Sequence, residues 1–324
     1  MREGTVTVST TDYLDDMKAC AEAIGLGVTE YVQPQDRWVR LNGIDFHYLD
    51  WGNSHLPPLV LLHGGALTAH TWDMACLVLR DQYHCIALDQ RGHGDTGWTP
   101  ADQLDENNQD LMAQDTQAFI DYLAYPRVAL CGMSMGGMNA IRYAAGHPNR
   151  LSRLVIVDIA PVTMTEGLVE MEAFRRETET MRNFEGFLDR AVKFNPQRKP
   201  EHLKYSLLHS LKQVEDGWTW KQDHRPRAET TPPSEEEQKR RMQEARQARA
   251  DSLWSDVKAI STPTLLMRGA ISKILSEAAA DEMVAAMQDV EQVVIPDAGH
   301  SVQGDNPGAF ATELHAYIQR RSLS

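Results

Sequence analysis

Cysteine is scarce in this chain of 324 residues, and the few cysteines form no recognisable framework. The four cysteines, Cys20, Cys76, Cys85 and Cys131, are scattered without a C-x-x-C pair, and three of them lie in apolar stretches. This pattern is typical of buried free thiols in a reducing compartment and argues against a disulfide scaffold. The N-terminus lacks the apolar run of a signal peptide, and no apolar segment reaches the length of a membrane span. We therefore expect a soluble cytoplasmic protein.

Positive charge is also in short supply. The 32 Lys and Arg residues face 46 Asp and Glu residues, which gives a formal net charge of −14. An acidic chain repels nucleic-acid phosphates and anionic bilayers, so neither is an expected partner. Internal repeats and low-complexity tracts are lacking as well. The length is sufficient for one large α/β domain, or for such a domain with an insertion.

Short apolar runs alternate with helical patterns along most of the chain. This alternation predicts an α/β protein with a mostly parallel central sheet flanked by helices on both faces. A polar or glycine-rich cluster follows each predicted strand, and open sheets of this kind place their ligands at the carboxyl ends of the strands. We therefore expect Gly65, Arg91, Ser134 and Asp158 to lie at one edge. The strands that lead into these clusters are predicted at 59–62, 83–88, 128–131 and 154–157.

One stretch carries the clearest chemical signal. Gly132-Met-Ser-Met-Gly136 matches the G-x-S-x-G pattern, with an apolar strand before it and a small-residue helix after it. This arrangement predicts a strained turn with Ser134 at its tip, where only glycine neighbours let the strand and the helix pass closely. Backbone N–H groups at the start of that helix would stabilise an oxyanion. The alternative is a glycine-rich turn whose serine only caps the helix.

The pattern divides the chain into four segments. Residues 1–34 form an extension with one predicted helix, which packs on the main body or on another subunit. Residues 35–160 and 252–324 carry the strand–helix alternation and form the two parts of the core. Residues 161–251 interrupt it, and we interpret them as a helical lid in which 218–220 form a loop or a short strand. The lid helices are predicted at 166–181, 184–194, 200–213 and 233–251.

Four motifs follow one another in a diagnostic order. They are His63-Gly-Gly, Asp89-Gln-Arg-Gly-His-Gly, the Gly-Met-Ser-Met-Gly around Ser134, and Gly-His300 near the C-terminus. In this order they resemble the α/β-hydrolase superfamily, over about residues 36–160 and 252–324. The general likeness is to bacterial esterases and carbon–carbon bond hydrolases with a helical lid. The resemblance implies an α/β-hydrolase fold with an inserted helical lid.

The resemblance also implies roles for individual residues. Ser134 is the expected nucleophile, and His300 is the expected base that takes its proton and returns it to the leaving group. The backbone N–H groups of Met135 and Gly65 are expected to form the oxyanion hole, with the N–H of Ala66 as the alternative to that of Gly65. We expect His63, Arg91 and His93 to have mainly structural roles. Such chemistry requires no metal and no organic cofactor.

One position departs from the family pattern. The triad acid of this family usually follows the next-to-last strand, but that loop (residues 269–276) holds Lys273 where Asp is expected. A lysine cannot orient an imidazole or stabilise an imidazolium. Asp158, after a neighbouring strand, is the best substitute, although an Asp at this place is equally expected to cap the chain entering the lid. Glu277 and Asp297 are poorer candidates.

The expected activity is hydrolysis of a carboxylic ester of a medium-sized, partly apolar small molecule through an acyl-enzyme on Ser134. Hydrolysis of a carbon–carbon bond in a ring-cleavage product would use the same residues. A further alternative is a ligand-binding protein on a hydrolase scaffold, with Lys273 marking lost chemistry. A cofactor-free oxygenase or an acyltransferase is a more distant alternative. A homo-oligomer is possible.

Some side chains around the lid suggest what the substrate looks like. Methionine and aromatic residues are expected to line an apolar pocket, or else to pack in the core: Met133, Met135, Met138, Met164, Met171, Phe174 and Trp218. Four basic residues would attract an anionic substrate, or else are simply exposed: Arg175, Arg176, Arg198 and Lys199.

Overall fold

The computed structural model describes residues 10–103, 108–177, 180–223, 225 and 234–322. Its strands are β1 Gln35–Leu41, β2 Ile44–Asp50, β3 Pro58–Leu62, β4 His84–Leu88, β5 Val128–Met133, β6 Leu151–Val157, β7 Thr180–Met181, β8 Leu211–Val214, β9 Gly217–Trp220, β10 Thr264–Gly269 and β11 Val290–Ile295. Eight of them form the central sheet in the order β1-β2-β4-β3-β5-β6-β10-β11. Neighbouring strands are parallel, except that β2 pairs antiparallel with β1 and β4. The prediction of a mostly parallel sheet is confirmed.

Helices cover both faces of this sheet. Their bounds are α1 Thr10–Ala23, α2 Asp73–Leu79, α3 Asn108–Tyr122, α4 Met135–Gly146, α5 Thr165–Glu177, α6 Phe184–Phe194, α7 Pro200–Ser210, α8 Glu235–Ala259, α9 Glu277–Ala286, α10 Val302–Asp305 and α11 Pro307–Ser322. One face packs against α1, α2 and α11, and the other against α3, α4, α8 and α9. None of the described helices is long and apolar enough to cross a membrane.

Strand β3 shows why its sequence is apolar throughout. Leu59 and Leu61 pack on the face covered by α1, α2 and α11, whereas Val60 and Leu62 pack on the opposite face. Because successive side chains of a strand point to opposite faces, a strand buried on both sides needs an apolar residue at every position. The four cysteines are also buried, as free thiols.

The segment between β6 and β10 carries α5 to α8 and is called the insertion below. It is not purely helical, because β7, β9 and β8 form a small antiparallel sheet. The helices predicted at 166–181 and 200–213 are therefore too long, since the former ends at Glu177 and the latter at Ser210. The residues that follow Ser210 form β8, which pairs with β9, and this pairing overrides the helical pattern.

Helix α8 continues past residue 251, where the sequence analysis ended the lid. It runs to Ala259, and its last turns bury Leu253 and Val257 against the core layer that contains α4. The helix begins at Glu235, two residues after the predicted start, and the hydroxyl of Ser234 caps it by accepting a hydrogen bond from the amide of Glu237. One helix thus connects the insertion directly with the core.

Helix α1 packs on the body of the same chain, one of the two placements that the sequence predicted. Its Tyr13 hydroxyl donates a hydrogen bond of 2.9 Å to Oδ2 of Asp73. Tyr205 of α7 donates to the same oxygen, so three elements meet at one buried carboxylate. Burial, and then the nearby charge of Asp73, raise the pKa of Tyr13 well above its usual value, so that this hydroxyl stays a donor.

Candidate active site

Ser134 lies in the turn between β5 and α4 in a backbone conformation that few residues adopt, with φ of 51° and ψ of −114°. The neighbouring glycines are required by close contacts. A Cβ at Gly132 would lie 2.3 Å from the carbonyl oxygen of Gly136, and one at Gly136 would lie 2.3 Å from that of Leu62. The strand and the helix can therefore approach this closely only without side chains, as the sequence predicted.

The structure brings Ser134, His300 and Asp158 together in one line of hydrogen bonds. Nε2 of His300 lies 2.9 Å from Oγ of Ser134, and Nδ1 of His300 lies 2.8 Å from Oδ2 of Asp158. An ionised carboxylate can only accept, so Nδ1 carries the proton and donates it to Asp158. Nε2 is then the acceptor for the Ser134 hydroxyl, which is the arrangement that proton abstraction from serine requires.

Asp158 follows the last residue of β6 and is completely buried. Its Oδ1 accepts the amide N–H of Gly269 at 2.9 Å, and its Oδ2 accepts the hydroxyl of Ser272 at 2.5 Å as well as Nδ1 of His300. Gly269 ends β10, Ser272 lies in the loop that follows β10, and His300 lies in the loop after β11. Of the two roles considered for Asp158, these contacts match the one in which it faces the imidazole. Among the described residues, no amide of the chain entering the insertion donates to its carboxylate.

Among the described residues, Lys273 makes no hydrogen bond to Ser134, His300 or Asp158. Its Nζ lies 2.9 Å from both carboxylate oxygens of Glu170 on α5, and its side chain is 59% exposed. The hydrogen bond to Glu170 raises the pKa of this ammonium group. The lysine that occupies the usual acid position is therefore paired at the surface, and its loop contributes Ser272 to Asp158 instead.

Two backbone amides close to Ser134 were expected to form the oxyanion hole. Met135 is the first residue of α4, and Gly65 lies in the turn after β3. Within the described part of the chain, neither N–H donates to a protein acceptor, whereas the amide of Gly136 donates to the carbonyl of His63. The turn after β3 is close to the serine, because a Cβ on Gly64 would lie 3.3 Å from Cβ of Ser134. Both amides named in the sequence analysis are thus available donors.

The other polar residues of the sheet edge have structural contacts. Nδ1 of His63 donates to the Gly64 carbonyl, and Nε2 accepts the amide of Gln90. Burial lowers the pKa of His63, which keeps the ring neutral. Arg91 donates twice to the buried carboxylate of Asp115 on α3. His93 donates to the Arg91 carbonyl, and burial lowers its pKa to about 3.

A cavity of about 570 Å³ opens above Ser134 and His300, between the core and the insertion. Of the apolar residues expected there, Met133, Met171 and Phe174 line it. Trp220 lines it in place of Trp218, which packs on Phe184. Two of the expected basic residues, Arg175 and Arg198, also line the cavity, whereas the side chain of Arg176 lies outside the described residues.

Several residues that support this site were missed from the sequence. Ser272 donates to Asp158, and Asp305 of α10 accepts the amide of Gly299, next to His300, at 2.8 Å. Arg198 of the insertion donates in turn to Asp305. The loop that holds Ser272 was recognised as the acid loop, but no sequence signal distinguishes this serine, or Arg198 and Asp305, from exposed polar residues.

Two groups of described side chains have the donor types of a metal site, and in each group hydrogen bonds within the chain already use some of these atoms. Asp73, His70 and His209 lie together, but the two imidazole rings are stacked with centroids 3.9 Å apart. Nδ1 of His70 is already engaged, at 2.8 Å from Oδ2 of Asp73. In the second group, His47 uses its nitrogens for Asp89 and for Asp36.

Comparison with known proteins gives consistent matches. The family model of the alpha/beta hydrolase fold matches residues 57–307. Esterase Rv0045c of Mycobacterium tuberculosis is 29% identical over 285 residues, which cover 84% of this chain and 86% of that protein. The 2-(acetamidomethylene)succinate hydrolase of Mesorhizobium japonicum is 27% identical over 260 residues, or 78% of this chain and 84% of that one.

A solved structure of the same mycobacterial esterase superposes with a TM-score of 0.72, at 26% identity, over 96% of this chain and 100% of that one. The family match extends over the strands of the central sheet from β3 onward, over the insertion, and over the loops of Ser134, Asp158 and His300. The chain therefore belongs to the α/β-hydrolase fold family and is a hydrolase.

Proposed function

We propose that this hydrolase is a serine esterase that cleaves a medium-sized, partly apolar carboxylic ester through an acyl-enzyme on Ser134. The observation that carries the proposal is the continuous line of hydrogen bonds from Ser134 through His300 to Asp158. A nucleophile, a base and a group that orients the base are the minimum set for this chemistry. The likeness to a named esterase over most of both chains supports the same activity.

The reaction proceeds in two halves. Nε2 of His300 removes the proton of the Ser134 hydroxyl as Oγ attacks the ester carbonyl, and the tetrahedral oxyanion accepts hydrogen bonds from the amides of Gly65 and Met135. The imidazolium is stabilised by Asp158 and returns the proton to the alcohol as the C–O bond breaks. Water then attacks the acyl-enzyme with His300 as base, and the acid is released.

The binding-protein alternative rested on Lys273, and the contacts of Asp158 weaken it. Although Lys273 occupies the usual position of the triad acid, Asp158 is a candidate for that role. In addition, the amides of Gly65 and Met135 have no protein acceptor among the described residues. A protein that only binds ligands has little need of a strained serine at this position. Carbon–carbon bond hydrolysis uses the same residues and is distinguished by substrate.

The test is the intact mass after treatment with a fluorophosphonate, with Ser134→Ala as the control. We expect one stoichiometric adduct on the native chain and none on the variant, because only an activated serine reacts rapidly with this probe. A panel of 4-nitrophenyl esters of increasing acyl length then tests turnover. A folded protein that neither reacts with the probe nor hydrolyses any ester would contradict the proposal.

A further inference from the structure

The cavity above Ser134 is basic, although the chain as a whole is strongly acidic. Its charged lining residues are Arg175, Lys193, Arg198 and Lys273 on the positive side and Glu170 and Asp305 on the negative side. Two more positive than negative side chains thus face the cavity of a protein whose net charge is −14. Because a cleft concentrates the field of the charges that line it, this cavity attracts anions that the rest of the surface repels.

Arg198 differs from the other basic residues because it lies inside the cavity wall. It belongs to the turn between α6 and α7, and its side chain is only 12% exposed. Nε donates to Oδ1 of Asp305 at 2.6 Å, which fixes the plane of the guanidinium. The group lies directly over Gly304, where an added Cβ would be 3.0 Å from Nη2. Arg198 is therefore held in one orientation before any ligand arrives.

The guanidinium has more donors than the protein uses. Among the described residues, only its Nε has an acceptor, and the other carboxylate oxygen of Asp305 accepts the amide of Gly299. The N–H groups on Nη1 and Nη2 have no protein acceptor there. Leaving N–H donors of a largely buried guanidinium without acceptors costs free energy. A planar carboxylate is the group whose two oxygens match two parallel N–H donors.

The position of Arg198 relates this donor pair to the reacting serine. Asp305 connects Arg198 with Gly299, the residue before His300, and Arg198, His300 and Ser134 all line the same cavity. Asp305 offsets part of the positive charge, so the remaining charge suits a monoanion better than a doubly charged phosphate. The apolar residues around it accommodate a short aliphatic chain between the two ends of a ligand.

We propose that Arg198 binds a free carboxylate of the ester itself, so that the preferred substrates are half-esters of dicarboxylic acids. This inference rests on the proposed esterase activity of Ser134 and adds the substrate class. The carboxylate accepts the two outer N–H groups of Arg198, and the aliphatic chain extends to the ester carbonyl at Ser134. Arg198 is then a specificity-determining residue, in addition to its contact with Asp305.

The experiment compares kcat/KM for matched pairs of 4-nitrophenyl esters. One member of each pair is the half-ester of succinate, glutarate or adipate, and the other carries a methyl ester on the far carboxyl group, with uncatalysed hydrolysis subtracted. We expect the native protein to prefer the free acid of at least one pair by about tenfold or more, the size typical of a charge-assisted bidentate contact.

Arg198→Met keeps the length of the aliphatic stem and removes the donors, and we expect it to abolish this preference. Arg198→Lys should retain part of it. Lys193→Met, at the exposed mouth of the cavity, removes the same charge and should leave the preference within about threefold, because exposed charges are screened. If Arg198→Met lowers kcat/KM for the free acid and for the methyl-capped ester by the same factor, their ratio is unchanged. Arg198 then only connects the insertion with the His300 loop, and the inference is wrong.

A measurement on the native protein is independent of how the variants fold. Free glutarate or adipate should inhibit hydrolysis of the methyl-capped ester competitively. An uncharged control of the same chain length, the dimethyl ether of the α,ω-diol, should not inhibit it. A native protein that hydrolyses the capped esters and has no preference for the free acids contradicts this inference alone. A protein that hydrolyses neither and takes up no fluorophosphonate contradicts the proposed esterase activity instead.

Discussion

Asp158 and His300, 142 residues apart in the chain, are joined by a hydrogen bond of 2.8 Å between Oδ2 and Nδ1. The carboxylate reaches the imidazole from the end of β6. It accepts the amide of Gly269, the last residue of β10, and the hydroxyl of Ser272 in the loop that follows. The carboxylate that contacts His300 thus follows β6, whereas the family usually places its acid in the loop after the next-to-last strand, which is β10 here. We infer that Asp158 orients His300 and that Lys273, paired with Glu170, takes no part in this contact.

Lys273→Ala should have little effect on the chemistry. The ammonium group pairs with Glu170 at an exposed site and makes no contact with Asp158 or His300 in the described structure. We expect kcat/KM for a neutral ester to change by less than about threefold, because exposed ion pairs are weak and screened. Initial rates with a 4-nitrophenyl alkanoate measure this. A loss of more than tenfold would assign Lys273 a part in the reaction.

Gly136→Ala should destabilise the fold strongly. The added Cβ would lie 2.3 Å from the Leu62 carbonyl oxygen and 2.6 Å from that of His63, so β3 and α4 must move apart. We expect a loss of about 3 kcal/mol or more in the free energy of unfolding, because the overlap is with backbone. Denaturant unfolding followed by circular dichroism measures it.

Gly146→Ala is the matched control for Gly136→Ala. Gly146 ends the same helix, and no atom of the described chain outside its immediate neighbours lies within 4 Å of a Cβ built there. The free energy of unfolding of Gly146→Ala should stay unchanged or rise by up to about 1 kcal/mol, since alanine favours the helix. If both variants lose the same free energy of unfolding, the close approach of backbone at Gly136 is not the cause of the loss.

Stability should fall as the pH rises from about 6.5 to about 9. Burial alone would lower the pKa of His47, but hydrogen bonds to Asp36 and Asp89 outweigh it and raise the pKa to about 9. The protonated ring is therefore favoured in the folded state below the unfolded pKa of about 6.5, and this contribution disappears as the pH passes through the folded pKa. The loss is on the order of 2 kcal/mol.

Thermal denaturation of His47→Gln tests this origin. The variant should be less stable at pH 6 and should lose less stability between pH 6.5 and 9, because glutamine does not titrate. His55→Gln, at an exposed position, is the control and should keep the native slope. If His47→Gln keeps the native slope as well, the pH dependence arises elsewhere.

Much of the fold and part of the site could be predicted because their signals are local. The strand, turn and helix around Ser134 occupy one short stretch, and the glycines reflect contacts between neighbouring elements. Of the small sheet in the insertion, the sequence anticipated only β9, as one of two alternatives for 218–220. Strand β8 was missed, since Leu211 continues the helical pattern of α7 and only pairing with β9 makes this segment a strand.

The supporting contacts of the site could not be predicted for a related reason. Asp158 reaches Gly269 across 111 residues, and Arg198 reaches Asp305 across 107. A sequence indicates that such residues are polar, but which distant partner they meet depends on how the insertion and the loops pack. The sequence therefore left two roles open for Asp158 and gave no reason to single out Ser272.

The most direct test of this account is the kinetics of Asp158→Asn with a neutral ester. Asparagine keeps the oxygen that accepts the Gly269 amide but cannot accept Nδ1–H of His300 in the same way. We expect kcat to fall by about 10³- to 10⁴-fold with KM changed by less than about threefold. Asp297→Asn, at an exposed position near His300, is the control and should keep native activity. A folded Asp158→Asn variant with kcat within about tenfold of the native value would contradict the assignment of Asp158.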